Sequence, residues 1–165
     1  MGFGGSVSAN CDLRVTSRAF TIGENNNGVN VKYPFTFNDG SSANEATKLW
    51  SQVVALIAGS SIYDLTALTG PTGTVSFTKI KGIIIANLNP TDGNRLLVGN
   101  AATNPWSAFL SSSSATIEVP ASGILVLISP LAQGTNPWTV DSTHKNLKFD
   151  SGAATITSQV TIWGV

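Results

Sequence analysis

Residues 155–163, Thr155-Ile156-Thr157-Ser158-Gln159-Val160-Thr161-Ile162-Trp163, alternate between apolar and polar side chains along most of their length. A period of two is typical of a β-strand with one face on a core and the other in water. Val29-Asn30-Val31-Lys32-Tyr33 repeats the pattern in the first part of the chain. Both segments are therefore predicted to be half-buried strands.

Two other runs, Ile83-Ile84-Ile85-Ala86 and Ile124-Leu125-Val126-Leu127-Ile128, are apolar at every position. Strands of this kind are either central strands covered on both faces or parts of a subunit interface. Lys79 and Lys81 precede the first run and lie two residues apart, so they are predicted to share a face and to emerge at the wet end of the sheet.

Short apolar runs separated by clusters of Gly, Asn, Ser and Asp recur from Ala19 to the last residue. This punctuation predicts one all-β domain over residues 19–165, an antiparallel β-sandwich of jelly-roll type, because closing two sheets face to face buries the isoleucine runs. Residues 1–18 are glycine-rich and lack an apolar period, so they are predicted to form an extended N-terminal arm. Its apolar anchors for docking are Val7, Leu13 and Val15.

One segment, residues 46–58, fits two structures. Its apolar side chains recur at the three- and four-residue spacing of an amphipathic helix, at Ala46, Leu49, Trp50, Val53, Val54 and Ile57. The β-rich surroundings instead favour a hairpin in which strands over residues 49–57 and 62–68 flank a turn at Gly59-Ser60-Ser61. A helix remains the alternative.

The balance of charged residues argues against two classes of partner, DNA and anionic membranes. Nine Lys and Arg balance nine Asp and Glu, and charged residues make up 11% of the chain. Proteins that pack DNA or bind anionic membranes need a basic excess, so neither partner is expected.

The sequence also lacks a membrane span and the basic and apolar regions of a signal peptide, which predicts synthesis in a cytoplasm. Cys11 is the single cysteine, so no intrachain disulfide is expected.

Residues suited to catalysis are sparse. The single histidine, His144, lies three residues after Asp141 in a segment that is typical of a surface turn. One His and one Cys cannot supply the ligands of a transition-metal site, and no phosphate-binding glycine loop or calcium loop occurs. The sequence therefore predicts a protein that is not an enzyme, with no catalytic, metal or cofactor site.

Two tryptophans lie in matching corners, Thr103-Asn104-Pro105-Trp106 and Thr135-Asn136-Pro137-Trp138. The Asn-Pro pair restricts the backbone of both residues and presents the following ring at the start of a strand. Trp106 and Trp138 are candidates for surface contact with a sugar or a protein. The alternative is that both rings cover the ends of the sandwich core.

Several segments, over roughly residues 46–165, resemble small virion structural proteins of tailed bacteriophages. The similarity lies in the order of short strands and in these segments: Leu65–Gly70, Val75–Leu88, Leu96–Asn100, Asn104–Ala108, Val119–Leu127 and Asn146–Phe149. The resemblance implies a location in the virion. It supplies no catalytic residue.

Among virion roles, a capsid decoration (cement) protein requires a compact β domain, a neutral surface and an arm that straddles capsomer joints. The sequence is expected to provide all three features. The expected partners are the major capsid protein and further copies of the chain itself, which form a trimer. The expected location is the capsid exterior. The alternatives are a tail or baseplate component and a carbohydrate-binding module for receptor recognition.

Overall fold

The computed structural model describes residues 7–14, 30–70, 73–129, 131–132 and 136–165, and it describes side chains from Phe37 onward. Secondary structure in these ranges consists of strands and turns, with no helix. The strands are β1 (Val7–Arg14), β2 (Asn30–Phe37), β3 (Lys48–Ile57), β4 (Ser60–Asp64), β5 (Leu68–Gly70), β6 (Gly73–Val75), β7 (Ile80–Asn87), β8 (Leu96–Gly99), β9 (Thr116–Val119), β10 (Ile124–Ile128), β11 (Asn146–Asp150) and β12 (Thr155–Gly164). The all-β prediction is confirmed for the described residues.

Eight of the strands form two four-stranded sheets. One sheet has the order β10-β7-β12-β3, the other has the order β4-β11-β8-β9, and all neighbouring strands are antiparallel. Most connections between consecutive strands pass from one sheet to the other, as in a sandwich of two sheets. β1 pairs with β2, and β5 with β6, in two small antiparallel sheets.

The larger apolar core of the described residues lies between the two large sheets, which is consistent with a β-sandwich. Ile83, Ile85 and Val160 enter it from the first sheet, and Leu147 and Phe149 enter it from the second. Each of these side chains is at most 1% exposed. The alternation in β12 has the predicted effect, because Ile156, Val160 and Ile162 point into the core while Thr155 and Thr157 are exposed.

The segment that fitted both a helix and a strand is strand β3. Trp50, Val54 and Leu56 are buried, whereas Val53 and Ile57 point outward, so the side chains alternate with the period of a strand. The strand prediction is confirmed, but the hairpin is wrong. After a turn at Ala58 and Gly59, both with positive φ, the chain crosses to the other sheet, so β3 pairs with β12 and β4 pairs with β11.

The two apolar runs, residues 83–86 in β7 and residues 124–128 in β10, occupy different positions in their sheet. β7 lies between β10 and β12, as predicted for a central strand, and its Ile83 and Ile85 are fully buried. β10 is the terminal strand of its sheet, where Leu125 is half-buried and Ile124 is 67% exposed. Of the two predicted alternatives, a central strand covered on both faces is therefore wrong for β10, and the subunit interface stays a prediction.

An irregularity in β7 changes the predicted placement of Lys81. Trp163 pairs with Gly82, but the next residue of β12, Gly164, pairs with Ile80, so Lys81 is an extra residue on β7. A bulge of this kind interrupts the alternation of faces. Ile80 consequently joins the core, while Lys81 reaches toward the loop before β3.

Lys81 does not emerge into water, which corrects the prediction for that residue, whereas Lys79 is half-buried. The Nζ atom of Lys79 donates to the carbonyl oxygen of Asn136 at 2.7 Å and to the Oγ1 atom of Thr139 at 2.6 Å. Lys81 is fully buried, and its Nζ atom donates to the carbonyl oxygens of Ser41 and Ser42. Burial lowers the pKa of Lys81, and the nearby Glu45 carboxylate opposes this shift.

The predicted N-terminal arm lies partly outside the described residues. Val7 and Leu13 belong to β1, where their backbones pair with Phe37 and Val31 of β2, and Val15 lies outside the described residues. The described part of residues 1–18 thus forms a sheet with residues that the prediction assigned to the domain.

Candidate interaction surface

The sheet β10-β7-β12-β3 turns one face to the core and the other face away from it. We call this second face the outer face. Because side chains alternate along each strand, register and burial identify the residues of the outer face, none of which is charged. They are Leu49, Ser51, Val53, Ala55 and Ile57 of β3, Gly82, Ile84 and Ala86 of β7, Ile124, Val126 and Ile128 of β10, and Thr155, Thr157, Gln159, Thr161 and Trp163 of β12.

Apolar side chains concentrate toward the two borders of the outer face. The residues Ile124, Ala86, Gln159 and Val53 lie in one row across the four strands. At the ends of this row, Ile124 is 67% exposed and Val53 is 60% exposed, and Ile57 at the end of β3 reaches 80%. Isolated exposed apolar residues are normal on soluble proteins, whereas several on one uncharged sheet face mark a site of interaction.

Three of the polar side chains of the outer face bond to each other. The hydroxyl groups of Ser51 and Thr161 lie 2.8 Å apart, and the Nε2 atom of Gln159 donates to the Oγ atom of Ser51 at 2.9 Å. A polar group that keeps its hydrogen bond loses less on dehydration than one that depended on water. The centre of the outer face is therefore suited to burial against another apolar surface.

One end of the outer face is covered by the chain itself. Trp163 lies over Gly82, with its ring centroid 5.6 Å from that of Phe37 in an edge-to-face arrangement. Ala46 completes this small second core, with Ile84 and Ile128 at its margin. Since Phe37 is the last residue of β2, the sheet β1–β2 joins the body beside the outer face.

Sequence reasoning missed the contribution of β3 to this surface. Leu49, Val53 and Ile57 were grouped with Trp50 and Val54 in one helical stripe, although the strand places them on opposite faces. Residues at spacings of four share a face in a strand as well as in a helix, so Leu49, Val53 and Ile57 carried the signal of an outward apolar row.

His144 lies in a hydrogen-bonded turn. Thr143 and His144 both donate backbone and side-chain hydrogen bonds to the Asp141 carboxylate, at distances of 2.8 to 3.2 Å. These bonds, the largest contribution coming from Thr143, lower the pKa of Asp141 to about 2. The geometry is that of an exposed turn held by its aspartate, as predicted from the sequence.

The two tryptophan corners differ in exposure. Trp106 is 1% exposed, and its indole nitrogen donates to the carbonyl oxygen of Thr139 at 3.0 Å. Trp138 is partly buried and meets Trp106 edge to face, with centroids 6.2 Å apart. Surface contact through Trp106 is thus contradicted, because its ring is buried and packs against Phe109 and Trp138. The alternative, in which the rings cover the end of the core, describes Trp106.

Within the described ranges, no three His, Cys, Asp or Glu side chains are grouped so that they could hold a metal ion. No helix long and apolar enough to cross a membrane occurs in the same ranges. Comparison with known protein families, with curated proteins and with solved structures finds no match to this chain.

Proposed function

We propose that the chain is a jelly-roll structural protein of a virus particle, most consistent with a capsid decoration protein on the outer shell of a tailed bacteriophage. The pairing of the eight strands in the two large sheets carries this proposal. A jelly roll arises when a long antiparallel hairpin folds over, so that first pairs with eighth, second with seventh, third with sixth and fourth with fifth. Counted from β3 without β5 and β6, this chain has the pairs β3–β12, β4–β11, β7–β10 and β8–β9.

Jelly rolls are a recurrent building block of viral shells. The fold alone does not determine function, since lectins and cupins use it too. Two further features support a structural role on a particle: the chain has no net charge, and β1 and β2 form a sheet separate from the two sheets of the sandwich.

In this proposal, residues 1–18 act as a clamp across neighbouring capsid subunits, with Val7, Leu13 and Val15 as apolar anchors. One edge of β1 pairs with β2, and strand addition to an exposed capsid edge would use the other edge of β1. The partners are the major capsid protein and further copies of the chain, as a trimer.

A tail or baseplate component remains the second virion role. Carbohydrate recognition through paired aromatic tips has less support, because Trp106 is buried. A hydrolase centred on His144 also has less support, since the hydroxyl nearest to its ring, that of Thr143, is bonded to Asp141 in the same exposed turn. His144→Ala is expected to change no hydrolytic activity.

The proposal is tested by adding the full chain to purified particles that lack it and separating free from bound protein by sedimentation. Binding that saturates on tailless capsids and raises the temperature at which they release DNA supports decoration. Binding to isolated tails, with none to capsids, would assign the chain to the tail. Binding to neither would reject a virion role of this kind.

A further inference from the structure

We infer that the outer face is a self-association surface, buried against a second copy of this chain. The inference rests on the self-association part of the proposed function, and it specifies the surface that the copies use. It does not depend on whether those copies bind a capsid.

Charge is the first argument for a second copy as the occupant. A surface without charged side chains fits another surface without them, since neither side leaves an ion unpaired when water is removed. The outer face meets this condition over all four strands, and its central groups Ser51, Thr161 and Gln159 already bond to each other. Contact with itself therefore requires no complementary charge on the partner.

Area is the second argument. Four strands spaced about 4.8 Å apart, with an average length of about eight residues at 3.3 Å each, give the sheet a footprint of roughly 500 Å², including the end that Phe37 and Ala46 cover. Two copies in contact through it bury up to about 1,000 Å² in total, near the lower bound of specific protein interfaces. A stable contact thus needs most of the outer face, including both apolar borders.

The distribution of exposed apolar side chains is the third argument. The first sheet carries three of the most exposed large apolar residues of the described chain on this face, Ile57, Ile124 and Val53. The second sheet offers Ile62, which is 53% exposed on β4, the terminal strand of that sheet. Ile62 is therefore a matched control for the effect of removing an exposed apolar side chain.

The test measures the mass of the full-length protein by sedimentation velocity at micromolar concentration, beside the variants Val53→Lys, Ile124→Lys and Ile62→Lys. The wild-type protein is expected to form an oligomer of the 17.1 kDa chain. Val53→Lys and Ile124→Lys place a charge at opposite borders of the face, and each should weaken association by more than about tenfold, because a buried unpaired charge is costly. Ile62→Lys should associate like the wild type.

Circular dichroism shows whether each variant is folded. The two border substitutions lie on different strands, so if one variant does not fold, the other still tests the surface. A monomeric wild-type protein would overturn the inference. So would association that persists in both folded border variants, or that is lost equally in Ile62→Lys. Because a face that packs on the same face of a second copy closes as a dimer, a dimer would support the inference and replace the trimer of the proposed function, whereas a trimer would show that the copies use different faces and would overturn the inference. An intact oligomer that binds no particle would reject decoration alone.

Discussion

Replacement of Gly82 by alanine is expected to destabilise the protein through a single side chain, Trp163. A Cβ atom at position 82 would overlap the six-membered ring of the Trp163 indole, at its Cζ2, Cε2 and Cη2 atoms. The ring has little room to move, because it is 1% exposed and packs edge to face on Phe37. Glycine is thus required at position 82 for close approach.

The magnitude follows from three contributions. Overpacking of a filled core costs about 1–3 kcal/mol, and partial loss of the aromatic contact with Phe37 costs up to about 1 kcal/mol more. Against this, alanine in a strand is better than glycine by about 0.5–1 kcal/mol. The net loss in the free energy of unfolding is about 2 kcal/mol, which for a domain of this size lowers Tm by roughly 4–8 °C.

Urea unfolding of four proteins measures this effect: wild type, Gly82→Ala, Trp163→Leu and the double variant. Trp163→Leu removes the ring atoms that the new Cβ atom would meet, so Gly82→Ala should be neutral or slightly stabilising in that background. The coupling between the two positions should reach about 2 kcal/mol. If Gly82→Ala lowered the free energy of unfolding equally in both backgrounds, the reasoning would be refuted, because the loss would then not depend on the Trp163 ring.

Three further predictions concern pH and the N-terminal strands. Burial lowers the pKa of Lys81 from its ordinary value near 10.5, so between these two values the folded protein binds fewer protons at this residue than the unfolded chain does. The stability of wild type relative to Lys81→Met should therefore rise as pH increases through this window. A difference in urea unfolding that stays constant with pH would contradict this prediction. For Asp141, whose pKa falls to about 2, the stability lost in Asp141→Asn should be largest above pH 4 and should disappear as pH falls through 2, and an undiminished difference at acid pH would show that the carboxylate charge is not responsible. Deletion of residues 2–18 should leave the far-UV circular dichroism of the sandwich strands in place and should weaken particle binding about tenfold or more, by the loss of the clamp; undiminished binding would place the capsid contact elsewhere.

Local pattern predicted the strands well and their partners poorly. The alternation of residues 155–163 indicated which side chains of β12 enter the core, because burial on one face of a strand is a local property of the sequence. The pairing of β3 with β12, about one hundred residues later, depends on the path of the whole chain between them. The strands over residues 49–57 and 62–68 were expected to pair with each other, and a crossing between sheets leaves no local signal to correct that expectation.

Burial of Lys81 shows a second limit. Its spacing from Lys79 is that of a shared strand face, but the extra residue in β7 interrupts the alternation, and the Ser41–Ser42 carbonyls supply acceptors from a distant loop. A bulge depends on the partner strand, so it is not visible in one segment alone. The candidate surface shares this limit: the apolar character of residues 124–128 suggested an interface, but the contribution of Val53 appeared only once β3 was known to be a strand.

The central claim is that this chain decorates the outside of a capsid. A cryo-EM map of purified particles, at a resolution that resolves strands, tests it most directly. We expect density for an eight-stranded sandwich on the exterior of the shell at capsomer joints, with the first strands of the chain reaching onto neighbouring capsid subunits. Density for this chain only in the tail or baseplate, or its absence from the particle, would contradict the account.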